Sequence, residues 1–126
     1  MGASNIIRLI EGGDFSVEAH TTSKTLALSD LNKIHTTRGG GAITFTLPGA
    51  AGCTGKFVFL WNVSASAMTV TGTSGELVAR NNAAANAVAY DQSNEIIGQA
   101  FLCVSDGTSW LIGTICGDGV TDSVNP

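Results

Sequence analysis

The sequence predicts an all-β, single-domain protein: an antiparallel sandwich, a jelly-roll-like arrangement or a small β-barrel. Three observations indicate this class. Apolar and polar residues alternate with period two in successive segments, glycine-containing turns separate these segments, and convincing amphipathic helical periodicity is missing. The length of 126 residues also favours one domain over two.

The segment 42–47 shows the alternation most simply. Ile43, Phe45 and Leu47 share one face, and threonines occupy the positions between them. This pattern predicts a strand with one buried side, ended by the Pro-Gly pair at 48–49.

The segment 56–63 is apolar on both faces, because Phe57, Phe59 and Trp61 alternate with Val58 and Leu60. Such a strand is either covered on both sides or has its second face in a subunit contact. The aromatic stripe of three side chains is expected to lie in the core.

Two further alternating segments, 67–72 and 76–79, follow after short Ser- and Gly-containing turns. With 56–63 they predict three consecutive strands joined as hairpins. A second hairpin is predicted between 99–104 and 109–115, where Asp106-Gly107 supplies the positive φ of a tight turn.

The remaining segments are less regular. Residues 28–32 predict either strand or a short helical turn capped by Ser29 or Asp30. Residues 81–95 are predicted to form a long loop whose small side chains lie flat against a partner. An N-terminal arm at about 1–12 and a mobile C-terminal tail at about 117–126 complete the single domain 1–126.

The charge pattern excludes several partners. The net charge is −4, and the six basic residues are scattered with no two adjacent, so nucleic acid is not expected as a partner. No apolar run approaches the roughly 20 residues of a spanning helix, and the N-terminus lacks a signal-peptide pattern. We therefore expect no membrane partner and synthesis in a cytosol, where Cys53, Cys103 and Cys116 are expected to be small buried hydrophobes.

No chemical site is predicted from the sequence. His20 and His35 are fifteen residues apart and match no ligand pattern, so each is expected to be a surface or trimer-axis histidine, with zinc binding as the minor alternative. No Gly-x-Ser-x-Gly motif occurs, and the ten carboxylates do not cluster. We predict no catalytic, cofactor-binding or metal-binding residues, and hence no enzyme.

Four segments together resemble a known family: 41–48, 57–63, 68–72 and 104–111. Over roughly residues 20–115 the chain resembles head decoration (cement) proteins of tailed bacteriophages, and it is also similar to β-modules of phage tail and fibre proteins. The resemblance implies a homotrimer on the outside of the capsid that ties neighbouring capsomers together. Its implied partners are the major capsid protein and other copies of the chain, with no cofactor.

The expected function is therefore capsid stabilisation at the outer surface of the virion after synthesis in the host cytoplasm. The alternative is a tail-tip or fibre module that binds a host receptor or glycan. Two segments are expected to form the interface, because the N-terminal arm can add a strand to a neighbouring sheet edge and the 81–95 loop can lie flat. The interface residues so predicted are Ile6, Ile7, Leu9, Asn81, Asn82, Asn86 and Tyr90.

Overall fold

The computed structural model describes residues 15–90, 96–115 and 122–125, and within them the chain forms twelve strands and two short 3-10 helices. The predicted all-β class is confirmed. The strands are β1 Val17–His20, β2 Lys24–Thr25, β3 Ile34–Thr37, β4 Ile43–Thr46, β5 Phe57–Asn62, β6 Met68–Thr71, β7 Leu77–Ala79, β8 Asn82–Ala85, β9 Ala87–Tyr90, β10 Ala100–Ser105, β11 Trp110–Ile115 and β12 Asp122–Asn125.

The strands form two mixed sheets that share one buried cluster of side chains. The seven-stranded sheet has the order β1-β3-β5-β10-β11-β7-β8, and the five-stranded sheet has the order β12-β9-β6-β4-β2. Side chains of both sheets meet between them, as Leu60 and Phe101 from one and Phe45 and Val70 from the other illustrate. The fold is therefore a sandwich with its core between the sheets.

The first six strands alternate between the two sheets. As a result β1, β3 and β5 run parallel in one sheet, and β2, β4 and β6 run parallel in the other. The expectation of antiparallel strands throughout is wrong for these pairs and for β7–β11. The predicted hairpin series β5, β6, β7 is also wrong, because the turns after β5 and β6 carry the chain across the sandwich to the opposite sheet.

The hairpin between β10 and β11 is confirmed, with Ser105 opposite Trp110. Gly107 has a φ of +93° in the connecting turn. The carboxylate of Asp106 accepts hydrogen bonds from the backbone N–H groups of Thr108 and Ser109 at 2.9 and 2.8 Å. The Asp-Gly pair therefore shapes this turn in the way the sequence predicts.

The aromatic stripe of β5 lies on the opposite side from the predicted one. Val58 and Leu60 are fully buried, whereas Phe57 and Phe59 are half-buried and Trp61 is 41% exposed. The prediction failed because both faces of β5 are apolar, so that the pattern alone cannot choose between them. The core tryptophan is instead Trp110, which is fully buried.

The inward face of β5 ends on a buried polar residue, Asn62. Its amide nitrogen donates to the carbonyl oxygens of Ser66 and Ile96 at 2.9 and 3.2 Å, and its amide oxygen accepts from the hydroxyl of Thr37. Asn62 is stable in the core because these partners replace the water it loses.

The predicted long loop 81–95 is wrong for its described part. Residues 82–85 and 87–90 form β8 and β9, and Ala85 and Val88 are buried in the core. Arg80 and Asn81 make the tight turn into β8 with φ values of +41° and +65°. The alanines of these strands range from exposed, at positions 83 and 84, through half-buried, at 87 and 89, to buried at 85. Residues 91–95 lie outside the described residues.

The chain ends differ from expectation where they are described. In the tail that was predicted to be mobile, residues 122–125 form β12, which pairs antiparallel with β9 because that strand offers a free edge. The arm at 1–12 lies outside the described residues. The short helical turn is confirmed at Leu28–Asp30, but the prediction of Ser29 or Asp30 as its cap is wrong, because Ala27 occupies the N-cap position and both residues lie within the helix. The Asp30 carboxylate accepts a hydrogen bond from the Ala27 N–H at 2.8 Å, and this hydrogen bond lowers the pKa of Asp30.

Candidate functional site

The outward side of the seven-stranded sheet carries a continuous set of large apolar side chains. They come from six strands that are adjacent in this sheet, in the order β1, β3, β5, β10, β11 and β7. We call this surface the apolar outer face; it consists of Val17, Ile34, Phe57, Phe59, Trp61, Val78, Leu102, Val104 and Leu111.

The strand register places these side chains side by side. Phe59 is paired with Ile34 on one side and with Leu102 on the other. Val104 is likewise paired with Phe57 and with Leu111. Cross-strand neighbours of this kind have Cβ atoms about 4.5–5.5 Å apart, so the apolar side chains form a contiguous surface.

Several of these side chains remain accessible to solvent. Val17 is 60% exposed, and Trp61 and Leu111 are each 41% exposed. Single exposed hydrophobic residues are ordinary on protein surfaces, whereas a contiguous apolar patch marks a contact with another molecule.

An open depression of ≈ 540 Å³ lies within this face. Its floor is low at Gly113, which faces outward beside Leu102 and has no side chain to fill the space. The residues lining the depression are Val78, Ala79, Arg80, Leu102, Val104, Leu111, Ile112 and Gly113. All but Arg80 are apolar, so the depression suits an apolar side chain of a partner.

The outward side of the five-stranded sheet has a different chemistry. Thr44 of β4 lies beside Thr69 of β6, and Thr46 of β4 lies beside Thr71 of β6. Thr25 of β2 lies on the other side of Thr46 and extends this second pair to a row of three threonines. The hydroxyl oxygens of Thr46 and Thr71 are 3.1 Å apart and share a hydrogen bond. The two broad surfaces of the sandwich therefore differ: one is covered with hydroxyl groups and the other is apolar.

The apolar outer face also has little charge to desolvate. At the outward positions of the described strands β3, β5, β10 and β11, every side chain is uncharged. Contact with protein across these strands therefore needs no ion to be stripped of water, and depletion of charge is typical of interface cores.

The described residues of the predicted interface lie at separate places in the fold. Ile6, Ile7 and Leu9 lie outside the described residues. Asn81 and Asn82 lie at the β7–β8 turn, whereas Asn86 lies at the other end of β8. The Asn86 side-chain oxygen accepts hydrogen bonds from the Gly75 N–H at 2.7 Å and the Ser74 hydroxyl at 3.0 Å, and so holds a turn of the same chain. Tyr90 ends β9, and its backbone pairs with Asp122.

Sequence reasoning predicted that the second apolar face of 56–63 is either covered or in a subunit contact, but it did not extend this face to the neighbouring strands. The signal was present in 56–63, where both faces are apolar, and it recurs in β10, where Leu102 and Val104 alternate with buried Phe101 and Cys103. When two adjacent strands such as β5 and β10 are apolar on both faces, one face of the sheet is expected to pack in the core and the other to contact another molecule.

The structure also brings the two histidines together. β1 and β3 pair in parallel, so that His20 Nε2 lies 2.9 Å from His35 Nδ1. His35 is fully buried, which makes its prediction as a surface histidine wrong, and burial together with His35 lowers the pKa of His20. Fifteen residues of separation gave no hint of this contact because it depends on the strand pairing.

Comparisons with protein-family models, curated proteins and solved structures found no match. Within 15–90, 96–115 and 122–125, none of the helices is long and apolar enough to span a membrane.

Proposed function

We propose that this chain is a structural virion protein: a decoration protein that binds the outside of a phage head as a homotrimer and stabilises the contacts between capsomers. The observation that carries the proposal is the apolar outer face of the seven-stranded sheet, which is suited to packing against protein. The resemblance of 41–48, 57–63, 68–72 and 104–111 to phage decoration proteins supports the choice of partner.

The energetics favour covering this face. Burying a large apolar side chain completely contributes about 1.5–3 kcal/mol, so covering Trp61 and Leu111, each 41% exposed, contributes on the order of 1 kcal/mol apiece. The half-buried side chains between them add to this gain. A partner that covers the whole face therefore gains enough to offset part of the cost of association.

A trimer makes such contacts act together. Three linked contacts to one shell raise the effective concentration for the second and third, so modest individual contacts give stable attachment. A protein that binds only the assembled shell also stabilises that shell by mass action. The proposed role needs no catalytic chemistry from the chain, and it places the protein at the outer surface of the virion after synthesis in the host cytoplasm.

The direct test is to incubate the purified protein with phage heads that lack it, and to measure binding by co-sedimentation and particle microscopy. The proposal expects saturable binding to heads and a trimer by light scattering. Leu111→Lys places a charge in the apolar outer face and is expected to reduce head binding at least tenfold or to break the trimer.

The matched control is Thr25→Lys, which adds the same charge at an exposed strand position on the hydroxyl-covered sheet. It is expected to leave trimer formation and head binding unchanged. A wild-type protein that binds only tails, or that binds no particle, contradicts the proposal. If the two lysine variants bind heads and form trimers equally well, the apolar outer face is not the contact surface that the proposal requires.

A further inference from the structure

Three side chains with metal-binding atoms meet at the edge of the sandwich. Glu18 and His20 project from β1 and His35 projects from β3. One ligand atom from each lies within 4.8 Å of the others. The cluster belongs to the edge of the seven-stranded sheet and plays no part in the apolar outer face.

The fold orients the ring of His35 for coordination. His35 Nε2 lies 2.7 Å from the backbone carbonyl oxygen of Asp30. A carbonyl oxygen can only accept, so Nε2 carries the proton and, in the neutral ring, Nδ1 presents a lone pair. Metal-binding histidines show this same arrangement, in which the second ring nitrogen donates to a backbone carbonyl or carboxylate.

His20 supplies the second nitrogen. Its Nε2 lies 2.9 Å from His35 Nδ1, so the two ring nitrogens point at one another. Tetrahedral zinc with bonds of about 2.0–2.1 Å holds two nitrogens about 3.3 Å apart, so binding requires the nitrogens to separate by a few tenths of an ångström and the rings to tilt until both lone pairs meet at the ion. The rings of His20 and Phe45 meet in a T-shaped contact with centroids 5.4 Å apart.

Glu18 supplies an oxygen on the solvent side. Its side chain is 40% exposed, and its Oε2 pairs with Lys33 Nζ at 3.1 Å. The exposed carboxylate can turn from the ammonium group to an ion without unfolding any structure. With two nitrogens and one carboxylate from the protein, the fourth position remains for water, as in open three-ligand zinc sites.

We propose that Glu18, His20 and His35 form a binding site for one divalent cation of the zinc class. Imidazole nitrogen selects such borderline ions over magnesium and calcium, which prefer oxygen ligands. On binding, the proton of His20 Nε2 moves to Nδ1 of the same ring, which frees Nε2 to coordinate the ion. Through its ligands, the ion then ties the edge strand β1 to β3. This site extends beyond the proposed capsid role and does not depend on it.

The test is metal titration of the full-length, metal-free protein. With cobalt(II) as the spectroscopic probe, a four-coordinate site gives visible ligand-field absorption that zinc then abolishes. Calorimetry with zinc alone gives the affinity, and magnesium is the negative control. We expect one equivalent of cobalt or zinc to bind and magnesium to give no signal.

Variants identify the ligands. His35 is fully buried, and its removal can unfold the chain, so the informative substitutions are His20→Gln and Glu18→Gln at half-buried positions. We expect each to weaken zinc binding more than about tenfold, the scale on which even outer-shell partners act. Circular dichroism checks that each variant is folded.

Lys33→Met is the matched control, because it removes the cation that competes for Glu18. Zinc binding is expected to stay unchanged or to tighten. The proposal is overturned if the folded wild type gives no cobalt absorption and no zinc heat. It is also overturned if His20→Gln binds zinc as tightly as the wild type, since the ion would then lie elsewhere on the surface.

Discussion

Two tryptophans show how the surroundings of a residue decide its role. Trp110 is fully buried, and its indole Nε1 donates a hydrogen bond to the Pro48 carbonyl at 2.7 Å. Trp61 is 41% exposed on the apolar outer face. The first tryptophan therefore contributes to folding stability, whereas the second belongs to the face for which we propose contact with a partner.

This difference predicts the outcome of a matched pair of substitutions. Trp110→Phe removes the indole donor and leaves the Pro48 carbonyl without its partner, so we expect a loss of about 1–3 kcal/mol in the free energy of unfolding. Trp61→Phe keeps the aromatic character of an exposed site and is expected to change it by less than about 0.5 kcal/mol. Denaturant unfolding followed by circular dichroism measures both, and equal losses would contradict the assignment.

At the scale of elements, one glycine turn allows two strand connections to approach each other closely. Gly40 lies between β3 and β4, and a Cβ at this position would lie 2.6 Å from the Thr21 carbonyl oxygen, which belongs to the connection between β1 and β2. Gly39 beside it also has a positive φ, yet a Cβ there meets nothing within 4 Å. Comparing substitutions at the two glycines therefore distinguishes the cost of backbone strain, present at both, from the cost of steric contact, present only at Gly40.

We expect Gly39→Ala to cost about 1–2 kcal/mol of stability, because an alanine is strained at a φ of +88°. Gly40→Ala carries similar strain at +73° and must also displace backbone, which adds about 1–3 kcal/mol. Thermal unfolding of the two variants beside the wild type is the measurement. If the Gly40→Ala protein is as stable as the Gly39→Ala protein, the backbone at Thr21 can move away from the added Cβ at little cost.

Also at the scale of elements, the sequence located the strands β4, β5, β6, β7, β10 and β11 and one hairpin between them. Residues 42–47 and the hairpin over 99–115 follow from alternation and from the Asp-Gly turn, both of which are local signals. The partners of β5 and β6 were not predictable, because a short turn can reverse the chain within one sheet or carry it to the other, and local pattern is the same in both cases.

At the scale of the whole molecule, the core encloses two thiols. Cys53 and Cys103 are both free and buried, as predicted, and burial raises the pKa of each thiol. The thiolate is the reactive form of cysteine, so both burial and the raised pKa oppose modification. Cys116 lies outside the described residues.

We therefore expect Cys53 and Cys103 to react with a thiol reagent only when the molecule opens. Peptide mass spectrometry after timed labelling separates the two sites, and the protein unfolded in denaturant is the control for full reactivity. Labelling in native buffer is expected to be slower by orders of magnitude and to accelerate together with global unfolding. Rapid labelling of Cys103 in the native protein would mean that the β10 region opens independently.

The sequence by itself determined the all-β class, the single buried face of β4 and the β10–β11 turn, because each depends on neighbours within a few residues. It also predicted the burial of Cys53 and Cys103, because a reduced cysteine behaves as a small hydrophobic residue. Tertiary structure decided which face of β5 is the core, that strands β1 to β6 alternate between two sheets, and that His20 meets His35. These features depend on pairing between distant segments. Period-two alternation divides side chains between two faces without saying which face another sheet will cover.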